Sequence, residues 1–127
     1  MPDDHKTIVC HFLDELWNQS NFTAVEQLLA SDYDGHSSTE IRGSEGAMAF
    51  VPKLRSALPD FRFSILDQIA EGDKVATRWS ICGTHQGEFQ GMPPSGKQIE
   101  MSGITIFRIA NGKLIEGWTN EDPFIDG

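Results

Sequence analysis

Asp122, His85, His36 and Glu116 are the side chains of this chain best suited to moving protons. Asp122 ends the segment from Ile104 onward, four residues after Trp118. A carboxylate held against apolar neighbours loses water, which disfavours its charged form and suits it to general acid/base work. A histidine near neutrality can donate to a developing oxyanion or relay a proton, so an aspartate with a histidine fits enolisation, aldol or hydration chemistry. His85, following Gly83 and Thr84, and His36, in a polar stretch, are each placed to reach a cavity mouth. The structural alternatives are plain: an aspartate before proline is often a turn former, and most single histidines are surface or scaffold residues. His5 and His11 lie near the amino terminus and off the apolar stripe of the first helix.

These residues need a scaffold, and the Asn111-Gly112 pair supplies its register. Asn-Gly provides the two positive φ values of a two-residue type I′ turn between strands rich in β-branched and aromatic residues. Unbroken alternation from Ala110 opposite Lys113 sets Ile109 against Leu114, Phe107 against Glu116, Thr105 against Trp118 and Met101 against Asp122, all on one face. Pro123 keeps Asp122 extended. Glu116 is six residues from Asp122, roughly 20 Å along a strand, too far for a shared reaction centre. Trp79 and Trp118 could stack on a planar ligand, although tryptophans on strands more often belong to a core.

Ile8, Val9, Phe12, Leu13, Leu16 and Trp17 mark one face of a first helix, and Phe22, Val25, Leu28 and Leu29 mark a second, with Thr23 and Glu26 spaced as a capping box. Ser31 to Gly43 reads as a loop with room for a short strand at its centre. Ser44 can cap a third helix that Pro52 kinks and Pro59 ends near Leu58. From Phe61 the period becomes that of strands: a hairpin turns at Glu71-Gly72-Asp73 and returns over Lys74 to Thr84. Gly87 to Gly96 forms a lip, and the Asn-Gly hairpin follows. Helices first and antiparallel strands after predict an α+β domain, the helices packed in a strongly curved antiparallel or mixed sheet, with a cavity between them.

At 127 residues the chain suits one domain spanning 1–127. Its 39% hydrophobic and 23% charged residues are ordinary globular usage. Ten Lys and Arg against nineteen Asp and Glu give a net charge of −9, a field that repels nucleic acid and anionic lipid, so neither is expected as a partner. The first residues lack a signal-peptide pattern and no apolar run approaches the roughly 20 residues of a membrane span, which predicts a cytoplasmic protein. Cys10 and Cys82 lack metal or redox spacing and read as reduced structural thiols. His36, His85, Glu116 and Asp122 show no clustered ligand spacing, so no metal is expected. The Gly87–Gly96 stretch is neither a dinucleotide fingerprint nor a P-loop, and no Gly-x-Ser-x-Gly elbow occurs.

Several motifs, taken in order, resemble the SnoaL-like polyketide cyclases: Leu58-Pro59-Asp60-Phe61, Glu71-Gly72-Asp73-Lys74-Val75, Gly83-Thr84-His85-Gln86-Gly87, Gly91-Met92-Pro93-Pro94-Ser95-Gly96 and Glu116-Gly117-Trp118-Thr119-Asn120-Glu121-Asp122. The resemblance implies the nuclear transport factor 2-like cone, a deep pocket and a homodimer. It also implies that Asp122 is the general acid/base of an intramolecular aldol closure without metal or organic cofactor, and that His85 lines the same pocket. His36 matches a family histidine of the early loop less closely, and the tail after Asp122 is shorter than in many members.

The expectation is therefore a cofactor-independent acid/base enzyme, a cyclase or isomerase of a small apolar or aromatic carbonyl compound. Asp122 would be the base and His85 the oxyanion donor. His36, Asn120, Trp79, Trp118 and Met101 would bind substrate. The alternatives are a non-catalytic binding module of the same fold, and an interaction subunit that uses the outer face of its sheet.

Overall fold

Asp4 caps α1 (His5–Leu13), its carboxylate accepting from the Lys6 N–H at 3.3 Å. The computed structural model describes residues 4–37, 43–89, 91–122 and 125–126. The predicted stripe Ile8, Val9, Phe12 and Leu13 is buried, and Leu16 and Trp17 continue it through a π-helical turn, Asp14–Asn18. The carbonyls left over at that turn are satisfied from elsewhere: Arg55 Nη2 donates to Trp17 O at 2.8 Å and Asn18 O at 3.3 Å. α2 (Phe22–Leu28) is capped by Asn21, which accepts from Ala24 N at 3.3 Å, so the cap falls two residues before the expected Thr23. α3 (Gly43–Ala57) contains Pro52 and buries Val51, Leu54 and Ala57. The side chain of Ser44, and Pro123 as a whole, lie outside the described residues.

The expected loop after α2 is instead a nine-residue strand, β1 (Leu29–Ser37), paired parallel with β5. Its polar sequence carries little strand propensity, and the long-range pairing supplies the backbone partners that local preference does not. β2 (Arg62–Glu71), β3 (Lys74–Thr84), β4 (Gln98–Ala110) and β5 (Lys113–Glu121) form an antiparallel run, in spatial order β1-β5-β4-β3-β2. A short β6 (Ile125–Asp126) pairs with β4 at Ile99 and Glu100, beyond the end of β5. The result is a mixed α+β arrangement as expected, with the helices on one face of the sheet. Asn111 and Gly112 take φ of 53° and 76°, the left-handed pair the turn requires. The lip is tied down: Gln86 N and Gly87 N both donate to Ala57 O, at 2.9 and 3.0 Å. No described helix is long and apolar enough to cross a membrane.

The hairpin register departs from unbroken alternation at one point. Ile109 pairs with Leu114 as expected, but Arg108 pairs with Glu116, so Ile115 is an extra residue on β5. This β-bulge shifts every later pair by one position: Phe107 meets Gly117, Thr105 meets Thr119, Ile106 meets Trp118 and Ile104 meets Asn120. Strict alternation would press Glu116 against Phe107 inside the core, whereas the bulge turns Glu116 outward beside Arg108. The expected pairings of Thr105 with Trp118 and Met101 with Asp122 are therefore corrected. Trp118 and Asp122 lie on the sheet's outer face.

Gly117 sits inward next to the bulge, where an added Cβ would collide with the Tyr33 hydroxyl and lie 3.3 Å from Phe107 Cδ1. Gly117→Ala should cost about 1–3 kcal/mol, as overpacking does. Chemical denaturation would show it as a lowered midpoint, and Tyr33→Phe in the same chain should recover part of the loss. An unchanged midpoint would contradict this packing.

Candidate functional site

The end of β5 places two carboxylates on opposite sides of the sheet. Glu121 pairs with Gly103 on the core-facing side, and Asp122 follows it outward beside Ser102. Asp122 is exposed: its N–H donates to Ser102 O at 2.8 Å, and Ser102 Oγ donates to its Oδ2 at 3.3 Å. Both residues line an open pocket of about 480 Å³ with Arg78, Ile104, Ile106, Trp118 and Asn120.

The register arranges this outer face in rows. Ile69, Ala76, Ile106, Trp118 and His36 run across β2, β3, β4, β5 and β1, an apolar stripe that ends on an imidazole. On one side lies a charged row, Glu71, Lys74, Arg108, Glu116 and Asp34, and on the other Asp67, Arg78, Ile104 and Asn120. Ile69 is 68% exposed, Ile106 39% and Trp118 36%, so the stripe faces solvent. His36 stacks on Trp118, centroids 5.6 Å apart, and its Nε2 lies 2.8 Å from Glu116 Oε2. Arg108 Nε donates to Asp73 Oδ2 at 3.0 Å, and that bond, ahead of the guanidinium's charge, lowers the Asp73 carboxyl below the usual aspartate range.

The core-facing side carries a different polar set. Trp79 Nε1 donates to Thr105 Oγ1 at 3.0 Å, and that hydroxyl meets Thr119 Oγ1 at 2.9 Å. Glu121 lies two residues beyond Thr119 on this face, and its Oε1 is buried with no hydrogen-bond partner among the described residues. Tyr33 is held neutral: burial first, then the charges of Asp34 and Glu116, push its hydroxyl up to about 12. Burial also raises the Cys10 thiol, against a bond from its Sγ to Gln68 Oε1 at 3.2 Å.

The residues singled out in the sequence thus divide into two groups. Asp122, Trp118 and Asn120 share the outer pocket, with His36 beside Trp118. Trp79, Met101 and His85 are buried and face the core. Trp79 stacks on Phe63 at 5.6 Å, and Met101 sits opposite Ile81. His85 contacts Ser95 Oγ through Nδ1 at 3.4 Å. It follows the last residue of β3, five residues beyond Ser80, the strand partner of Ser102, which is about 17 Å from the Asp122 end. The structure does not bring His85 and Asp122 together. Arg78 and Ser102 are the outer-pocket residues that spacing missed. The legible signal was the Leu114-Ile115 doublet before Glu116, two apolar residues that a bulge can bury together while the charge turns out.

A family model described as SnoaL-like polyketide cyclase matches residues 7–124. Among solved structures, IdmH of Streptomyces antibioticus, a candidate polyketide cyclase, superposes with a TM-score of 0.83 at 26% identity, over 94% of this chain and 93% of that one. A candidate polyketide cyclase of Acidithiobacillus ferrooxidans is 30% identical with a TM-score of 0.75, covering 93% of this chain and 87% of its own. A candidate SnoaL-like polyketide cyclase of Jannaschia sp. CCS1 is 27% identical with a TM-score of 0.75, covering 93% and 85%. No curated protein sequence matches.

Burying a carboxylate oxygen without a partner costs stability. Replacing Glu121 with methionine, of similar length and no charge, should raise stability by about 1 kcal/mol, near 3–5 °C in Tm for a domain of this size. Asp122→Asn, at an exposed position, should stay within about 0.5 kcal/mol of the parent. Thermal unfolding of the two variants checks both, and a fall in Tm for Glu121→Met would contradict the burial.

Proposed function

The chain belongs to the SnoaL-like polyketide cyclase family, and we propose that it is a cofactor-independent acid/base enzyme that cyclises or isomerises a small carbonyl compound. One observation carries this reading. The carboxylate at the family's acid/base position, Asp122, shares a pocket with an aromatic wall, Trp118, and two polar donors, Arg78 and Asn120. In this proposal the Asp122 carboxylate takes a proton α to a carbonyl. The electron pair moves onto the carbonyl oxygen, where the Arg78 guanidinium and the Asn120 amide favour the developing charge. The enolate carbon then adds to a second carbonyl of the same molecule, and the new alkoxide takes the proton back from Asp122. Atoms and electrons balance without an external oxidant or reductant. Trp118, Ile104 and Ile106 supply the apolar surface that an aromatic or alkyl substrate would cover.

The proposal includes a homodimer. The exposed stripe of Ile69, Ile106 and Trp118 is a continuous apolar feature of the kind that marks an interface. A second copy laid over it would also roof the pocket and remove Asp122 from bulk water, where its proton transfer would gain most. The second reading, a non-catalytic binding module, is favoured by the exposure of Asp122 and by the distance of His85 from it. Under that reading the pocket holds a ligand and turns nothing over.

Exchange of α-protons of an aromatic 1,3-diketone into D₂O, followed by NMR, separates these readings. Asp122→Asn should slow the enzyme's contribution by about 10²–10⁴-fold, the usual worth of a positioned base. Glu121→Gln, altering the core-facing carboxylate, should leave it within a few-fold. Equal exchange by parent and Asp122→Asn would remove Asp122 as the base, and loss in Glu121→Gln instead would move the chemistry to the core-facing side.

The dimer has its own test. Sedimentation should show a two-chain species for the parent and a single chain for Ile106→Glu, which sets a charge in the stripe. A monomeric parent at high micromolar concentration would contradict the proposed dimer.

A further inference from the structure

We propose that Asp34, His36 and Glu116 form a binding site for one divalent first-row transition ion of the Zn²⁺ class, at the β1 edge of the outer face. Spacing along the chain gives no sign of it, because Glu116 is far from the other two in sequence. The parallel pairing of β1 with β5 assembles it: Asp34 sits directly opposite Glu116, and His36, two residues on, emerges on the same face. One ligand atom from each of the three lies within 4.8 Å of the others. His36 Nε2 is 3.3 Å from Asp34 Oδ2 and 2.8 Å from Glu116 Oε2.

Those separations suit a small dication. With bonds of about 2.0–2.2 Å to nitrogen and carboxylate oxygen, neighbouring ligands of a tetrahedral zinc lie about 3.4 Å apart. The His36–Asp34 edge is already at that value. The His36–Glu116 edge must open by about 0.6 Å to reach it, a small movement for side chains on a surface. Neighbours constrain two of the three ligands. The imidazole is stacked on Trp118, with 16° between the ring planes. Arg108 Nη1 lies 3.8 Å from the other Glu116 oxygen, Oε1, which leaves Oε2 turned toward His36.

The donor set narrows the ion. Mg²⁺ and Ca²⁺ favour all-oxygen shells, whereas an imidazole with two carboxylates suits Zn²⁺, Fe²⁺, Co²⁺ or Ni²⁺, and no thiolate is present to favour a softer ion. Three protein ligands leave a coordination position open to water or to an anionic group of a ligand. Trp118 touches His36 on one side and walls the pocket of Asp122 on the other, so an ion here would stiffen one wall of that pocket and tie the edge strand β1 to β5. The site stands on this geometry alone and is independent of the proposed acid/base chemistry.

The test uses the full chain, stripped with a chelator and titrated with Zn²⁺ by calorimetry. One ion per chain is expected. Loss of an outer-shell partner alone weakens metal sites by about 10–100-fold, so His36→Ala and Glu116→Gln should each weaken binding at least that far. The competing surface pair, His11 Nε2 and Glu15 Oε1 at 3.6 Å, supplies the control: His11→Ala should leave affinity unchanged. Titration of the parent with Co²⁺, followed by ¹H–¹⁵N NMR, does not depend on the variants folding. Paramagnetic broadening should centre on Asp34, His36 and Glu116. Absence of saturable binding, or binding and broadening that follow His11 and Glu15, would overturn the proposal.

Discussion

The extra residue in β5, Ile115, is the constraint on which the arrangement of this protein depends. Side chains alternate along a strand with a period of two, so one inserted residue exchanges the faces of everything after it. Before the bulge Leu114 is buried in the core, and after it Gly117, Thr119 and Glu121 face inward. Glu116, Trp118, Asn120 and Asp122 face outward together as a result. The bulge leaves one residue without a ladder partner and avoids a larger cost, a glutamate pressed against Phe107 in the core. Gly117 completes the local solution by leaving room for the Tyr33 hydroxyl.

From that register follow two chemically distinct faces. Inward, a hydroxyl chain runs from Trp79 through Thr105 to Thr119, and farther along the same face Glu121 Oε1 is buried with no hydrogen-bond partner among the described residues. Outward, an apolar stripe runs between a charged row and a mixed one, with the pocket of Asp122 at one end of β5 and the cluster of Asp34, His36 and Glu116 toward the other. Trp118 belongs to both outer features, which makes it the residue through which a change at one would be felt at the other. A second bulge at Leu66 on β2 leaves that leucine 48% exposed at the opposite edge strand. Edge strands are otherwise protected, as where the Asn18 side chain pairs with both the N–H and the C=O of Phe63.

Much of the fold was legible in the sequence because its signals are local. The stripe from Ile8 to Trp17, the Asn111-Gly112 turn and the alternation of Lys74 to Thr84 each specify their element with nearby residues, and the structure shows them all. Ordered motifs from Leu58 to Asp122 identified the family that the comparison confirms. β1 was legible only as room for a short strand within a loop, since Ser31, Asp32, Asp34 and Gly35 argue against one and β5, far along the chain, makes Leu29–Ser37 a strand. The site was half legible. Asp122, Trp118, Asn120 and His36 share the outer face, whereas Met101, set against Asp122 by an alternation that the bulge breaks, is buried with Trp79 and His85, which the sequence placed on or just after the Lys74–Thr84 strand. The Asp34–His36–Glu116 cluster could not be read at all, because it needs a parallel pairing that spacing does not record.

The register after Ile115 is the central claim, and side-chain NOEs across β4 and β5 measure it directly. The structure predicts contacts from the Trp118 indole to Ile106 and His36, and from Thr119 to Thr105. NOEs from Trp118 to Thr105, together with contacts between Met101 and Asp122, would instead show an unbroken ladder. In that case Asp122 would belong to the core-facing side.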